Sequence, residues 1–274
     1  MRRALLHTCA RASAKKNFKG WLLQHLRDPY VKQRDRDEYR ARSAYKLLQM
    51  DDEHRLLRPG MVVVDLGAAP GGWTQVAAER VSPGGCVVAV DVVKRIEPVD
   101  GALVVADWDL AAYSPLQTRA RIAAALSAAA AGPTSRRRRR VAVDAVLCDI
   151  APSPSGQADV DNARIVELAS TALRVADALL APVGAFDAVG GDEERRRLKR
   201  AFFLCKVWDG YLTERLLSSI SERFSRVGVL KPDASRRTSA ELYLLGRHYT
   251  ANGPPASHDT DDPQPAQVND LLFS

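Results

Sequence analysis

Nine consecutive residues, Asp65-Leu-Gly-Ala-Ala-Pro-Gly-Gly-Trp73, carry the densest chemical signal in this chain of 274 residues. They close a short apolar run and open a segment of helical spacing. Gly67, Gly71 and Gly72 give such a junction the tight turn and close backbone approach that a nucleotide-like cofactor needs. About twenty residues after that loop, Asp91 closes a second apolar run, where an acid commonly accepts hydrogen bonds from a ribose. Asp107 closes a third and is placed to accept from an adenine amino group. A lone glycine turn is as easily structural, but three acids at successive run ends (Asp65, Asp91, Asp107) favour the cofactor reading. A dinucleotide site would show G-x-G-x-x-G, with a helix N-terminus against the pyrophosphate. The pattern here is G-x-x-x-G-G, preceded by Asp65 and followed by Trp73. It leans toward S-adenosylmethionine, which has no phosphate and whose α-amino group favours a nearby acid or carbonyl. Spacing alone leaves both open.

A second set of residues is dispersed: Lys46, Asp149, Lys206 and Glu241. Asp149 ends the fourth apolar run, Lys206 ends the fifth and Glu241 opens the last. In a doubly wound sheet the carboxyl ends of parallel strands line the ligand crevice, so Asp149 and Lys206 would face the reactive end of a cofactor. Glu241 would join them, because an antiparallel strand begins where its parallel neighbours finish. Methyl transfer to a ribose hydroxyl needs in-line geometry and removal of a proton from a weakly acidic group. A lysine serves as that base only if its own pKa falls, through burial or a nearby cation. Lys46 and a sulfonium would both act on Lys206 in that direction, with Asp149 and Glu241 orienting it. Each of these residues alone is more often a surface charge than a catalyst; their coincidence at strand ends carries the reading.

The elements that must position them follow from periodicity. Ala44 to Leu57 has helical spacing and ends at Pro59-Gly60. Short, almost wholly apolar runs at Met61–Asp65, Cys86–Asp91, Ala102–Ala106, Val143–Cys148 and Ala201–Lys206 fit strands buried on both faces, as parallel sheets require. Helical patterns lie between them at Trp73–Arg80, Leu116–Ala131 and Asn162–Leu180. Beyond Lys206 the order is helix (Tyr211–Phe224), strand (Ser225–Leu230), turn (Lys231–Arg237) and strand (Glu241–Leu245). The last two strands, joined only by a turn, must be antiparallel. The expected fold is α/β and Rossmann-like: a mostly parallel seven-stranded sheet with an antiparallel last strand and helices on both faces.

Composition sets the outer bounds. Hydrophobic residues make up 46% of the chain, enough for a core, and no apolar stretch approaches a membrane span. The net charge of +7 is local: residues 1–27 hold seven basic side chains and no carboxylate, leaving 33 of each sign in the rest. An acid-free, Arg-bearing leader of this kind matches a mitochondrial transit peptide, placing the protein in the matrix; the plain alternative is a basic arm. The body then spans 28–250, with a Pro-, Gly- and Asp-rich tail at 251–274 expected to be disordered. Cys9, Cys86, Cys148 and Cys205 show no zinc spacing, and the last three lie in strand-like contexts that suit buried thiols. No metal site and no disulfide framework is expected. Two stretches look like insertions: 123–140, which ends in Arg136–Arg140, and 186–202.

Five motifs in order resemble the FtsJ/RrmJ family of ribose 2′-O-methyltransferases, from about Asp28 to Tyr249. They are Ser43-Ala-Tyr-Lys46-Leu, the Asp65–Trp73 loop, Cys148-Asp-Ile-Ala-Pro152 with Ser155-Gly156, Phe203-Leu-Cys-Lys206, and Lys231-Pro-Asp-Ala-Ser235 with Ser239-Ala-Glu241-Leu-Tyr243. The resemblance implies a tetrad of Lys46, Asp149, Lys206 and Glu241, with Lys206 as proton acceptor. It also implies S-adenosyl-L-methionine bound by Gly67, Pro70, Gly71, Gly72, Trp73, Asp91, Asp107 and Asp149. The Leu-Cys-Lys-Val-Trp wording and the leader are most similar to the mitochondrial branch, which methylates a uridine of large-subunit ribosomal RNA. The implied partner is that RNA or the assembling large subunit, with the enzyme acting as a monomer. Arg42, Lys231, Arg236 and Arg237 flank tetrad members and are the expected contacts to the RNA backbone. Arg34, Arg36 and Arg40 lie nearby. In this family a Pro-Gly turn passes directly into the Lys-bearing strand, so the 186–202 segment departs from the pattern, as does the arginine run. The rivals are a transfer RNA or mRNA-cap substrate, a ribosome-assembly factor with dispensable catalysis, and, weakest, a small-molecule methyltransferase.

Overall fold

The computed structural model of the protein describes residues 29–30, 37–130, 142–180, 201–236 and 238–250. In chain order its elements are α1 (Ala44–His54), β1 (Val62–Leu66), α2 (Gly72–Val81), β2 (Cys86–Val90), β3 (Ala102–Val105) and α3 (Pro115–Ala130). They continue as β4 (Ala145–Cys148), α4 (Ala158–Leu179), β5 (Phe202–Trp208), α5 (Thr213–Ser221), β6 (Phe224–Leu230) and β7 (Glu241–Tyr249). The strands form one sheet in the order β3-β2-β1-β4-β5-β7-β6. The first five pair in parallel, and β7 inserts antiparallel between β5 and β6.

The apolar runs of β1, β2, β4 and β5 form strands because both of their faces are covered, whereas the run at 102–106, expected to be buried likewise, forms the edge strand β3 and leaves Val104 exposed. All five residues of β1 are buried, and successive residues feed opposite layers, as the period of a strand requires. Val62, Val64 and Leu66 pack into the layer that holds Ile122 and Leu126 of α3, Ala169, Leu173 and Ala176 of α4, and Ile220 of α5. Val63 faces the other way, with Leu147, Leu204, Leu47 and Met50 of α1 and Val76 of α2. Asp144 secures the amino edge: its carboxylate accepts from Val62 N–H at 2.7 Å and its carbonyl from Phe202 N–H at 3.1 Å, which ties β1, β4 and β5 together.

The topology decides where a ligand can sit. The chain builds outward from β1 through β2 to β3, then returns to place β4 on the opposite side of β1. The β1/β4 junction is therefore the switch point, and the crevice outside its carboxyl ends is the natural ligand position. The glycine loop leaves β1 at this edge and Asp149 follows β4 there. The antiparallel register brings Glu241 opposite Trp208 and Tyr243 opposite Lys206, so β7 delivers its first residues to the same edge.

Several boundaries differ from the periodicity. α4 begins at Ala158, four residues before the expected start at Asn162, because Ala158, Asp159 and Val160 lie exposed on its first turn and give no apolar face to read. α5 stops at Ser221, since Phe224 is buried against Phe203 and Tyr249 in the sheet layer. β7 continues to Tyr249, four residues beyond Leu245, because the polar residue Arg247 is paired across both neighbours and buried within the strand. Residues 123–130 form the second half of α3, with Leu126 in the core. Phe202 likewise belongs to β5, paired with Ala145 and Arg247. Cys148 and Cys205 are buried, whereas Cys86, at the start of β2, is only half-buried. The leader, Arg34, Arg36, Arg136–Arg140, residues 186–200, Arg237 and the tail lie outside the described residues. Among the described residues no helix is long and apolar enough to cross a membrane.

Candidate active site

Parallel pairing of Cys148 with Cys205 sets the next residue of each strand side by side. Those residues are Asp149 and Lys206. Lys206 Nζ lies 2.9 Å from Asp149 Oδ1 and donates to the Asp149 carbonyl at 2.6 Å. An ammonium has three donor positions in tetrahedral array. With two directed at one residue, the direction of the third is set. Lys206 is buried along its length, so its alkyl stem packs in the sheet while its head reaches the crevice.

Tyr243 joins this pair from β7. Its hydroxyl donates to Asp149 Oδ1 at 3.0 Å. Burial, reinforced by the Asp149 and Glu241 carboxylates, pushes the phenol well above its ordinary pKa, so it stays protonated and acts only as a donor toward Asp149. Two residues earlier and on the same strand face, Glu241 is 2.5 Å from Lys46 Nζ and accepts from the Ser235 hydroxyl at 2.7 Å. Lys46 Nζ also stands 5.9 Å from the centre of the Tyr243 ring. Burial alone would raise the Glu241 pKa. The Lys46 ammonium and the Ser235 hydroxyl outweigh it and hold the group below the usual glutamate value, as a carboxylate.

The far-apart segments that supply these groups are tied to one another. Arg42 donates through Nη2 to the Ala234 carbonyl at 2.7 Å, and Gln49 accepts from Ala234 N–H at 2.7 Å. Helix α1 thereby grips the β6–β7 turn and carries Lys46 and Ser235 to the same carboxylate. Arg42, expected at the RNA backbone, has one guanidinium nitrogen engaged in this grip. Lys231 is exposed and donates to the Ser239 carbonyl at 3.1 Å, and Arg236 is half-buried on the same turn.

The glycine loop meets the expectation for a close turn. Gly67 has φ of +76°, and a Cβ there would lie 2.1 Å from Ile150 Cγ1, on the segment that follows Asp149. Gly71 has φ of +114° beneath Arg40, whose guanidinium donates to the Glu97 and Pro98 carbonyls at 2.6 and 2.5 Å. Asp91 binds the loop directly, accepting from Ala69 N–H at 2.9 Å and Val93 N–H at 3.0 Å. Each of its oxygens keeps a second lone pair for a ribose hydroxyl. Asp107 is exposed at φ of +55°, with its N–H bonded to the Val93 carbonyl, so both acids border one loop. Trp73 is buried: its indole donates to the Ser43 carbonyl at 2.9 Å and its ring centre is 5.6 Å from that of Tyr243. It packs the glycine loop against the tetrad.

Asp65 has the strongest electrostatic signature in the loop. It is wholly buried; Oδ2 accepts from the Thr74 hydroxyl at 2.6 Å, while Oδ1 has no hydrogen-bond partner. Burial pushes its pKa up to about 7, Thr74 opposes the shift, and Asp149 and Asp91 add to it. A buried carboxylate oxygen short of a donor, beside a turn too tight for side chains, fits a ligand that brings an ammonium and approaches the backbone closely. The α-amino group of S-adenosylmethionine is such a group. Among the described residues no three His, Cys, Asp or Glu side chains are grouped to hold a metal ion.

Tyr243 and Ser235 lie within the motifs, but the sequence pattern does not single them out as site residues. For Tyr243 a signal was available: it is two residues from Glu241, and a strand puts such pairs on one face. Ser235 had no comparable signal, since its contact depends on the path of the β6–β7 turn.

Two outcomes follow from this geometry. Lys46→Met leaves Glu241 buried without its cation and should cost roughly 3–5 kcal/mol, toward the lower end because both ends keep slight exposure. The double variant Lys46→Met/Glu241→Gln should recover part of that loss; urea denaturation showing simple additivity of the two single changes would refute the coupling. For Asp65, the folded pKa near 7 exceeds the ordinary 3.8, so between those values the folded state retains a proton that the unfolded chain has released. Its contribution to stability is therefore present at low pH and is lost as pH rises through about 7. Asp65→Asn should flatten the stability profile across that window, and parallel profiles for the two proteins would contradict the assignment.

Comparison with known proteins identifies the family. The FtsJ-like methyltransferase model matches residues 39–249. A relative from Azoarcus sp. strain BH72, Ribosomal RNA large subunit methyltransferase E, is 41% identical over 84% of this chain and 96% of its own length. The protein of the same name from Methanothrix thermoacetophila is 40% identical over 81% of this chain and 72% of its own. A crystal structure described as a ribosomal RNA methyltransferase from Plasmodium falciparum shares the fold, with a TM-score of 0.58 over 77% of this chain and 98% of its own at 19% identity. The chain belongs to the FtsJ-like methyltransferase family.

Proposed function

We propose that the protein transfers the methyl group of S-adenosylmethionine to the 2′-hydroxyl of a uridine in large-subunit ribosomal RNA, within mitochondria. The observation that carries the chemistry is the Lys206–Asp149 pair, in which one ammonium is held by two oxygens of a single residue at the switch point of the sheet. The relatives named for large-subunit ribosomal RNA support the substrate class. The acid-free basic leader supports the location.

The bound cofactor supplies an electrophilic methyl group on a positively charged sulfur. Asp65, Asp91, Asp107 and the Gly67–Trp73 turn, with Pro70, Gly71 and Gly72, would hold it, and Asp149 borders it. The chain's own part is to orient the ribose hydroxyl and take its proton. Acting as base, Lys206 must be the neutral amine: its two N–H groups stay on Asp149, and its lone pair takes the hydroxyl proton as the oxygen bonds to the methyl carbon and the methyl–sulfur bond breaks. Asp149 fixes the Lys206 head, Tyr243 fixes Asp149, and the Lys46–Glu241 pair with Ser235 holds the opposite wall. Arg42, Lys231, Arg236 and Arg237 would grip phosphates, a contribution that weakens as salt rises.

The test uses protein without residues 1–27, labelled S-adenosylmethionine, and large-subunit rRNA both naked and in isolated large subunits. One 2′-O-methyluridine should form. Lys206→Ala should lose at least about 10²-fold in turnover, in the range of general-base removal, with cofactor affinity unchanged by calorimetry. A variant that methylates at the wild-type rate would show that Lys206 is not the base. Residues 1–27 fused to a fluorescent reporter should direct it into mitochondria; a reporter left in the cytosol would remove the proposed location.

A further inference from the structure

Two aromatic side chains are exposed among the described residues, and they differ in kind. Tyr113 is stacked on Trp108 at 3.8 Å, so one face of its ring is already covered. Tyr211, 62% exposed, has no ring partner. It lies in the connection from β5 to α5, five residues after Lys206. Five residues span at most ~18 Å when fully extended, so the ring stays near the carboxyl edge where the tetrad lies.

The backbone around this exposed ring is held on every side. Asp209 N–H donates to the Ala240 carbonyl at 2.6 Å, joining the connection to the residue before Glu241. Asn162, buried on the first turns of α4, donates to the Trp208 carbonyl at 2.8 Å and accepts from Leu212 N–H at 3.2 Å, so one amide grips both sides of the loop. Thr213 donates its hydroxyl to the same Trp208 carbonyl at 2.8 Å and its N–H to the Gly210 carbonyl at 3.0 Å. At Gly210 an added Cβ would come within 2.4 Å of the Asn162 amide, so the chain passes against the helix with no side chain between them. Leaving an apolar ring in water on a tightly fixed loop gains the fold nothing, yet fixing it in advance lowers the entropy cost of binding a flat partner.

We propose that Tyr211 is a stacking platform for an unpaired base of the RNA, either the target base or a near neighbour of the methylated ribose. The proposal rests on the reading of the chain as an RNA methyltransferase and names how that substrate is held. The neighbouring Asp209 carboxylate repels phosphate, so this patch suits a base and not the backbone. The cations for the backbone sit across the Asp209–Ala240 link, on the turn that carries Lys231 and Arg236. Sequence-specific RNA readers take unpaired bases onto aromatic rings in this way.

The experiment measures methyl transfer from labelled S-adenosylmethionine to large-subunit rRNA and to isolated large subunits, with wild type, Tyr211→Ala, Tyr211→Phe and Tyr211→Trp. The Ala variant should raise KM for the RNA roughly 5- to 150-fold, the worth of one base–aromatic stack. Its KM for the cofactor and its Tm should match wild type, and the Phe and Trp variants should retain wild-type KM for the RNA. An unchanged RNA KM in Tyr211→Ala overturns the platform while leaving the proposed function standing. A Phe variant as impaired as the Ala variant also overturns it, because the hydroxyl would then carry the contact. Wild-type protein inactive on both substrates overturns the functional reading itself, and the platform with it.

Discussion

The contact between Lys206 and Asp149 is the constraint around which the rest of the sheet is arranged. Two opposite charges are placed at adjacent positions of two parallel strands, and both are largely withdrawn from water. Removing one partner would leave the other as an uncompensated charge in a poorly solvated place, a far larger cost than a surface pair would incur. The pair can exist only if β4 and β5 keep the Cys148–Cys205 register, because a slip of one residue would turn every side chain to the opposite layer. The flanking thiols show how dry that layer is. Burial pushes Cys148 up to about 12 and Cys205 well above its ordinary value, so neither thiol ionises beside the charged pair.

Withdrawn charges need company, and the structure supplies it in two linked groups. Asp149 has both Lys206 and Tyr243 on one oxygen, and Glu241 has both Lys46 and Ser235 on one oxygen. Tyr243 and Glu241 share a face of β7, so the two groups are rigidly related through one strand. An antiparallel strand is what makes this possible. A parallel strand in that place would bring its last residues to the crevice, while the first residues of β7 arrive there directly from the turn that carries Ser235. The closing turn thus brings a hydroxyl, a carboxylate and a phenol to the site within nine residues of chain (235–243).

Much of this was legible in the sequence, and the limits have physical causes. Buried parallel strands announce themselves as uninterrupted apolar runs, so the sheet and the order of its strands along the chain were legible from the sequence. Strand-end acids were legible for the same reason: Asp91 and Asp149 each follow directly on an apolar run. What the pattern concealed was polar residues paired inside regular structure. Arg247 ended the expected strand at Leu245, although its burial between two neighbours continues β7 by four more residues. The alanine-rich half of α3 carries little signal because alanine is compatible with either environment, and Leu126 is its one buried residue. The indole bond from Trp73 to Ser43, which ties the glycine loop to the start of α1, was equally hidden. Such roles depend on contacts 30 or more residues apart, which no local period encodes.

The grip of α1 on the β6–β7 turn explains how a site assembled from both ends of the domain stays in register. Lys46 comes from the first described helix and Glu241 from the last strand, and a long amine on a free helix would lose rotamer entropy of up to ~2 kcal/mol on binding its partner. Arg42 and Gln49 flank Lys46 on α1 and its N-terminal approach, and both bind Ala234, the residue before Ser235. The helix is thus fixed to the turn at two points around the lysine, one on each side of it. The Lys46–Glu241 contact forms within a frame whose ordering cost is shared with backbone hydrogen bonds, so the ion pair itself need supply little. An arginine that looks like an RNA contact from its charge thereby also serves the catalytic wall. Through the Ala234 carbonyl that one guanidinium sets the position of the turn that carries Ser235, and with it the carboxylate that Ser235 and Lys46 share.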